Sequence, residues 1–253
     1  MPRELVVRTV SDHGVGELRL NDPDRRNVLS FEMSEAIGTA VAEVLAAGAK
    51  AVVLTAAPPV FCSGGSLEGL ISRARPLRDT YRGYRALFEC PVPTLALVEG
   101  AAVGAGVNLA LACDVVVAGD KARFDPRFLD VGIHPGGGHL RRLLERTGAQ
   151  GAAALCLFGE ALTGDEAVRA GLAWRCFEGD EARRSAFALA DRAAGRDADL
   201  VRRAKDSLRL SRWVADDDAA FDLELAAQEW SVERPEFVVA VQRIRDALAA
   251  RAR

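Results

Sequence analysis

With 253 residues, 49% of them hydrophobic, the chain has the length and apolar content of one large domain, or of one domain with an appendage. Its formal net charge of −3 and the lack of any long basic block argue against a nucleic-acid partner. The five cysteines, Cys62, Cys90, Cys113, Cys156 and Cys176, form no CxxC pair and no metal-like cluster. Most sit in apolar runs and read as buried thiols of a reducing, cytoplasmic compartment. Residues 1–10 carry Arg3, Glu4 and Arg8 and so lack a signal-peptide core. The longest apolar region, 93–118, is interrupted by Glu99, Asn108, Asp114 and glycines, and reads as core, with no membrane span expected.

In chain order, residues 4–10 and 15–20 predict two strands around a turn at Asp12-His13-Gly14, with His13 exposed. Asn21-Asp22-Pro23-Asp24 is a turn. Ser30 predicts an N-cap for a helix to about Ala47, stopped by Gly48, with Met33, Ile37, Val41, Val44 and Leu45 at helical spacing. Ala51 to Thr55 is a buried-strand run that leads into Phe61-Cys62-Ser63-Gly64-Gly65-Ser66-Leu67. Residues 66–90 are more polar and carry Arg73, Arg75, Arg78, Arg82 and Arg85. They read as a solvated helical face interrupted near Pro76, or as a basic edge near a phosphate-bearing ligand. Tyr81, Tyr84 and Phe88 fit a core or a pocket lining.

The chain is organised around residues 93–114, PTLALVEGAAVGAGVNLALACD. A strand-length apolar run breaks at Gly100, Gly104 and Gly106, and helix-forming residues follow. A strand, a tight glycine turn and a helix leave free backbone N–H groups at the helix start, where the dipole favours negative charge. Such a turn could stabilise an oxyanion, or could only let strand and helix pack closely. The Ala51–Leu67 stretch repeats the pattern about forty residues earlier, so two turns could each give one N–H to the same carbonyl oxygen.

Further on, Val115 to Ala118 predicts a strand, and a helix starts near His139 after the loop Gly132–Gly138. Thr163-Gly164-Asp165-Glu166 is a capping-box pattern opening a helix that ends at Gly171. From about Glu181 onward the reading is nearly all helix, with one further helix opened by Asp216-Asp217-Asp218 and large apolar residues at Phe221, Leu225, Trp230 and Phe237. The alternation of strands and helices predicts an α/β chain of stacked turns.

These motifs together resemble the crotonase (enoyl-CoA hydratase/isomerase) superfamily over nearly the whole chain. Val60–Leu67 is similar to AFCAGxDL, and Ala102–Asp114 to AxxGGGxELALACD. Leu20-Asn21-Asp22-Pro23 with Arg26-Asn27-Val28-Leu29 looks like LNRP…NAL, Gly132–Gly138 looks like GLxPGxGG, and Gly159-Glu160 through Ala173 looks like TGE…A..GLV. The resemblance implies a spiral of ββα units over residues 1–195. It also implies a C-terminal helical region over 196–253 that covers the site and packs in trimers, often paired into hexamers.

It further implies an acyl-CoA thioester as substrate, with coenzyme A as part of the substrate and no other cofactor. The thioester carbonyl would sit between the N–H groups of Gly65 and Ala105. Gly65, Ser66, Leu67 and Glu68 would line the thioester, with Ser66 where the family has aspartate. Arg25 and Arg26 would approach the adenine end, where arginine can also contact phosphate. Hydratases of the family add two glutamates, and the matching positions here are Asn108 and Phe128. A one-residue shift prompted by Pro126 would put Arg127 at the second place, and either choice leaves no carboxylate. Asparagine takes no proton at neutral pH and phenylalanine cannot hydrogen-bond water. Losing a general base costs on the order of 10²–10⁴-fold, so weak or no hydration of simple enoyl-CoA is expected.

His134 is the alternative base, with Asp125 and Asp130 near it, whereas His139 is accounted for by its place at a helix start. The position where some branches carry an aspartate is Gly136 here. Asn108 could orient water or a thioester, or only cap and pack. Three functions remain open: an acyl-CoA enzyme that stabilises an enolate, an acyl-CoA-binding protein without turnover, and a structural partner of an active paralogue.

Overall fold

The structure is a computed structural model describing residues 4–251; Arg3 lies outside the described residues. Strands β1 (Val6–Val10) and β2 (Val15–Leu20) form the antiparallel hairpin, with His13 exposed in its turn. Helix α1 (Phe31–Ala46) follows, and the Ser30 hydroxyl accepts from Met33 N–H at 3.2 Å. Then come β3 (Ala51–Ala56), α2 (Leu67–Ser72), a 3-10 turn (Leu77–Tyr81), α3 (Arg82–Phe88) and β4 (Thr94–Val98). Strand β5 (Ala101–Val103) lies inside what the sequence predicts as a plain glycine turn, and α4 (Ala105–Ala112) starts two residues after it.

Next come β6 (Val115–Gly119), β7 (Arg123–Asp125), α5 (His139–Leu157), β8 (Leu162–Thr163), α6 (Gly164–Arg169), β9 (Arg175–Phe177) and α7 (Glu181–Ala194). The predicted capping box at Thr163 and Glu166 is present. Helices α8 (Ala198–Ser211), α9 (Asp217–Val232) and α10 (Pro235–Arg251) complete the described residues. By its internal packing the chain divides into units 1–195 and 196–253.

Six strands form one sheet in the order β1-β2-β3-β4-β6-β9, parallel from β2 onward. Its central strands are buried on both faces, which is why β3 and β4 read as continuous apolar runs. Alternate residues serve opposite sides. Val52, Leu54, Ala96, Val98 and Val116 face the larger core, which also holds α1 and α4. Ala51, Val53, Leu95, Leu97 and Val117 face α7, which presents Ala182, Ala186, Ala190 and Ala194 at four-residue spacing. A second sheet, β5-β7-β8, is short. Its β5 carries the chain from β4 into α4 and so decides where the α4 N-terminus lies.

The segment before α1 is pinned by Asn27, fully buried in the left-handed region at φ 50°. Its carbonyl accepts from Asp22 N–H at 2.9 Å, and its amide donates to the carbonyls of Ala57 and Val60 at 2.8 and 2.9 Å. Four cysteines are buried, and Cys176 is partly so. Among the described residues no helix is long and apolar enough to cross a membrane.

Candidate functional site

Three backbone segments run side by side at the C-terminal ends of β3 and β4. Cys62 pairs with Ala102 as a parallel bridge, with Val103 N–H donating to Cys62 O at 2.9 Å and Cys62 N–H to Ala101 O at 3.1 Å. Leu29 pairs with Gly65 in the same way, through Leu29 N–H to Gly64 O and Ser66 N–H to Leu29 O. The glycines are what allow this approach. A Cβ at Gly64 (φ 104°) would lie 3.0 Å from Val103 O, and one at Gly106 would lie 2.5 Å from Cys62 O and 2.9 Å from Cys62 Cβ. Gly106→Ala should therefore cost about 1–3 kcal/mol through forced separation of the two loops. Thermal unfolding reads this as a Tm lowered by several degrees, and an unchanged Tm would show that the loops part freely.

This packing leaves two N–H groups over. The Leu29 bridge uses the carbonyl of Gly64 and the N–H of Ser66, and not the N–H of Gly65 that lies between them. Ala105 is the first residue of α4, so its N–H has no intrahelical partner, while Gly104 N–H is taken by Asp125 O at 2.8 Å. Among the described residues neither N–H has an acceptor. Both residues are half-buried, and a Cβ at Gly65 would meet nothing within 4 Å. Donors left unengaged in this way can polarise a carbonyl oxygen, and the positive end of α4 adds to the pull of the Ala105 N–H.

One turn into α4 stands Asn108, 2% exposed. Its amide nitrogen donates to Gly136 O at 3.0 Å, and its carbonyl oxygen lies 2.6 Å from His139 Nδ1. Since Gly136 O can only accept, the Asn108 amide is oriented with its oxygen toward the imidazole, and Nδ1 is the protonated ring nitrogen. Among the described residues, His139 Nε2 is buried without a hydrogen-bond partner. Burial holds the His139 pKa down at about 4, so the ring is neutral at pH 7. Phe128 meets that ring edge-to-face, centroids 4.8 Å apart. Asn108 and Phe128 are thus brought together, and the residue between them is His139, which the sequence assigns only to a helix start.

His134 is exposed, and its Nδ1 lies 2.7 Å from the carbonyl of the adjacent Pro135. No contact joins it to Asn108, Phe128 or either free N–H among the described residues. Asp130 is exposed, and buried Asp125 is bound by Arg127 and Arg123. The glycine loop around Gly136 packs on Tyr81, whose ring fills the place a side chain at Gly137 would need. Tyr84 is buried and stacks on Phe88, and the Arg142 guanidinium lies over both rings.

The Ser66 hydroxyl accepts from Gly69 N–H at 3.1 Å, capping α2, and donates to Glu68. The Glu68 backbone N–H and that hydroxyl hold the carboxyl below its ordinary pKa. Leu67 and Glu68 are exposed, as are Arg25 and Arg26. Arg26 O accepts from Ser63 N–H at 3.0 Å, which sets both arginines beside the Gly64–Gly65 loop. Among the described residues no group of three His, Cys, Asp or Glu side chains could hold a metal ion.

Comparison with known proteins agrees with this architecture. The family profile described as enoyl-CoA hydratase/isomerase matches residues 11–232. The "Probable enoyl-CoA hydratase EchA14" of Mycobacterium tuberculosis is 40% identical over 243 residues, 92% of this chain and 94% of that one. The 2,3-dehydroadipyl-CoA hydratase of Escherichia coli is 34% identical over 202 residues, 78% and 79% of the two chains. Among solved structures, the enoyl-CoA hydratase of Mycobacterium smegmatis superposes with a TM-score of 0.87 at 25% identity, covering 97% of each chain. A Thermobifida fusca chain solved in complex with acetoacetyl-CoA has a TM-score of 0.81 at 24% identity, covering 91% of this chain and 95% of that one. The chain belongs to the enoyl-CoA hydratase/isomerase family and has the crotonase fold.

Proposed function

We propose that this protein binds an acyl-CoA thioester with its carbonyl oxygen between the N–H groups of Gly65 and Ala105. There it stabilises an enolate without the glutamate pair that hydratases of the family use. What supports this reading is that both N–H groups lack an acceptor among the described residues, that their loops pair through the Cys62–Ala102 bridge, and that a Cβ at Gly65 would meet nothing within 4 Å. The acetoacetyl-CoA held by the Thermobifida fusca neighbour supports a thioester as ligand. Coenzyme A enters as part of the substrate and no other cofactor is required. Gly65, Ser66, Leu67 and Glu68 line the thioester, and Arg25 and Arg26 serve the adenine and phosphate end.

The test is loss of enoyl-thioester absorbance from crotonyl-CoA, with CoA binding followed by calorimetry. Hydration should be slower than that of a glutamate-bearing relative by on the order of 10²–10⁴-fold, with CoA affinity retained. Brisk hydration would show that another acid does the work. The side chains of Asn108 and Phe128 favour a second reading, a binding protein without turnover. It predicts stoichiometric CoA binding and no conversion of any thioester.

The same reading places the protein in the cytoplasm, with residues 196–253 serving assembly into a trimer or hexamer. In support, Leu208, Trp213 and Phe221 in that unit are 72%, 70% and 65% exposed. Light scattering of the purified chain should return a mass three or six times that of one chain, and a monomer would refute it.

A further inference from the structure

Where a hydratase of this family needs acids and bases, this chain holds a buried amide, a buried imidazole and an aromatic ring. We propose that Asn108 and His139 form a proton-transfer dyad, in which His139 Nε2 takes a proton from the bound thioester and Asn108 is the positioning residue that sets the tautomer. The inference rests on the thioester reading above.

Its geometry comes from a chain of three polar groups. Gly136 O accepts from Asn108, Asn108 accepts from His139 Nδ1–H, and the Nε2 lone pair is left over. A histidine packed only to fill the core could offer its protonated nitrogen to any carbonyl. Here the Asn108 carbonyl, its amide anchored on Gly136 O, holds the proton on Nδ1 and leaves Nε2 as the free acceptor, and 1% exposure keeps bulk water from it. A buried acceptor without a partner costs free energy that a donor presented by a ligand would recover. Asn108 lies three residues after Ala105 on the same helix, so the dyad sits one turn from the N–H that would hold the carbonyl. In the free protein Nε2 is covered, and Phe128, against the imidazole and 9% exposed, is the side chain whose rotation would open it.

The step is proton abstraction next to a carbonyl. The Nε2 lone pair takes a proton from the α-carbon, and the C–H electron pair moves into the enolate. The negative charge then rests on the oxygen facing Gly65 and Ala105. The imidazolium N–H exchanges with solvent while Phe128 is rotated aside, and the ring returns a deuteron to the α-carbon, so in heavy water one C–H becomes C–D with no other net reaction. No oxidant or co-reactant is needed. A neutral imidazole is a weak base, so the step depends on the two N–H groups to stabilise the enolate strongly.

The experiment follows deuterium uptake into the α-position of butyryl-CoA by proton NMR, with butyryl-CoA binding by calorimetry in parallel. His139→Gln should bind as wild type does and exchange on the order of 10²–10⁴-fold more slowly. Exchange within about threefold of wild type would overturn the dyad. Wild-type protein that binds butyryl-CoA but exchanges no α-proton would also overturn it, leaving the thioester reading intact. Wild-type protein that binds no butyryl-CoA would overturn the thioester reading, and the dyad would fall with it. Nitrogen-15 shifts of the wild-type imidazole test the tautomer even if His139→Gln fails to fold. Nδ1 should be protonated and Nε2 bare, with that preference lost in Asn108→Leu; a bare Nδ1 in wild type would overturn the proposal.

Discussion

Ala105→Pro is expected to lower turnover of any thioester the protein processes by roughly 10²–10³-fold, the loss seen when one oxyanion donor is removed. The substitution removes one N–H and little else. Ala105 is the first residue of α4, where proline is tolerated because that N–H has no intrahelical partner. The preceding Gly104, at φ 49° and ψ −112°, makes the turn itself. If no thioester is turned over, the same variant should erase the affinity advantage of acetoacetyl-CoA over free CoA. Ala105→Gly keeps the donor and should keep activity. Unchanged turnover and unchanged affinity in Ala105→Pro would mean that the carbonyl is not held at α4.

Stability should fall as the solution is acidified from about pH 6.5 to about pH 4, and His139 should account for on the order of 3 kcal/mol of that fall. In the folded chain, burial holds its pKa at about 4. Unfolded, it takes its ordinary value near 6.5. Above pH 6.5 both states are neutral and the group has no effect. Between the two values the unfolded chain binds a proton that the folded chain refuses, so stability rises with pH across this window. Denaturant midpoints at several pH values should give a steeper slope for wild type than for His139→Gln. Equal slopes would show that the imidazole is protonated without unfolding.

Much of the fold can be read along the chain because its signals are local. The apolar runs at Ala51–Ala56 and Thr94–Val98 announce buried parallel strands. Ser30, Thr163 and Asp216 announce their helices because an N-cap is chemistry within four residues. The three-residue β5 and β7 escape such reading. Each is too short for a period of two, and they exist only because they pair with each other and with β8.

The candidate site divides along the same line. The two glycine turns are legible because close backbone approach admits little but glycine at Gly64 and Gly106, and the resemblance to the family is what points to Gly65 and Ala105 within them. The lack of carboxylates at Asn108 and Phe128 is legible too, being a matter of residue identity. Which imidazole stands nearby is not. His134 and His139 flank one glycine loop, five residues apart, and the local reading favours His134, because a helix start is enough to account for His139.

By itself, then, the amino-acid order determined the family motifs, the strand and helix starts, and the chemistry missing from two positions. Only the tertiary structure decided that the two turns meet through the Cys62–Ala102 bridge, that His134 faces solvent, and that His139 is buried against Asn108 thirty-one residues away. The physical reason is that caps, turns and periodicity are set by neighbours in sequence. The partner of a buried polar group, and with it the tautomer and pKa of an imidazole, is set by whichever distant segment the packing brings against it.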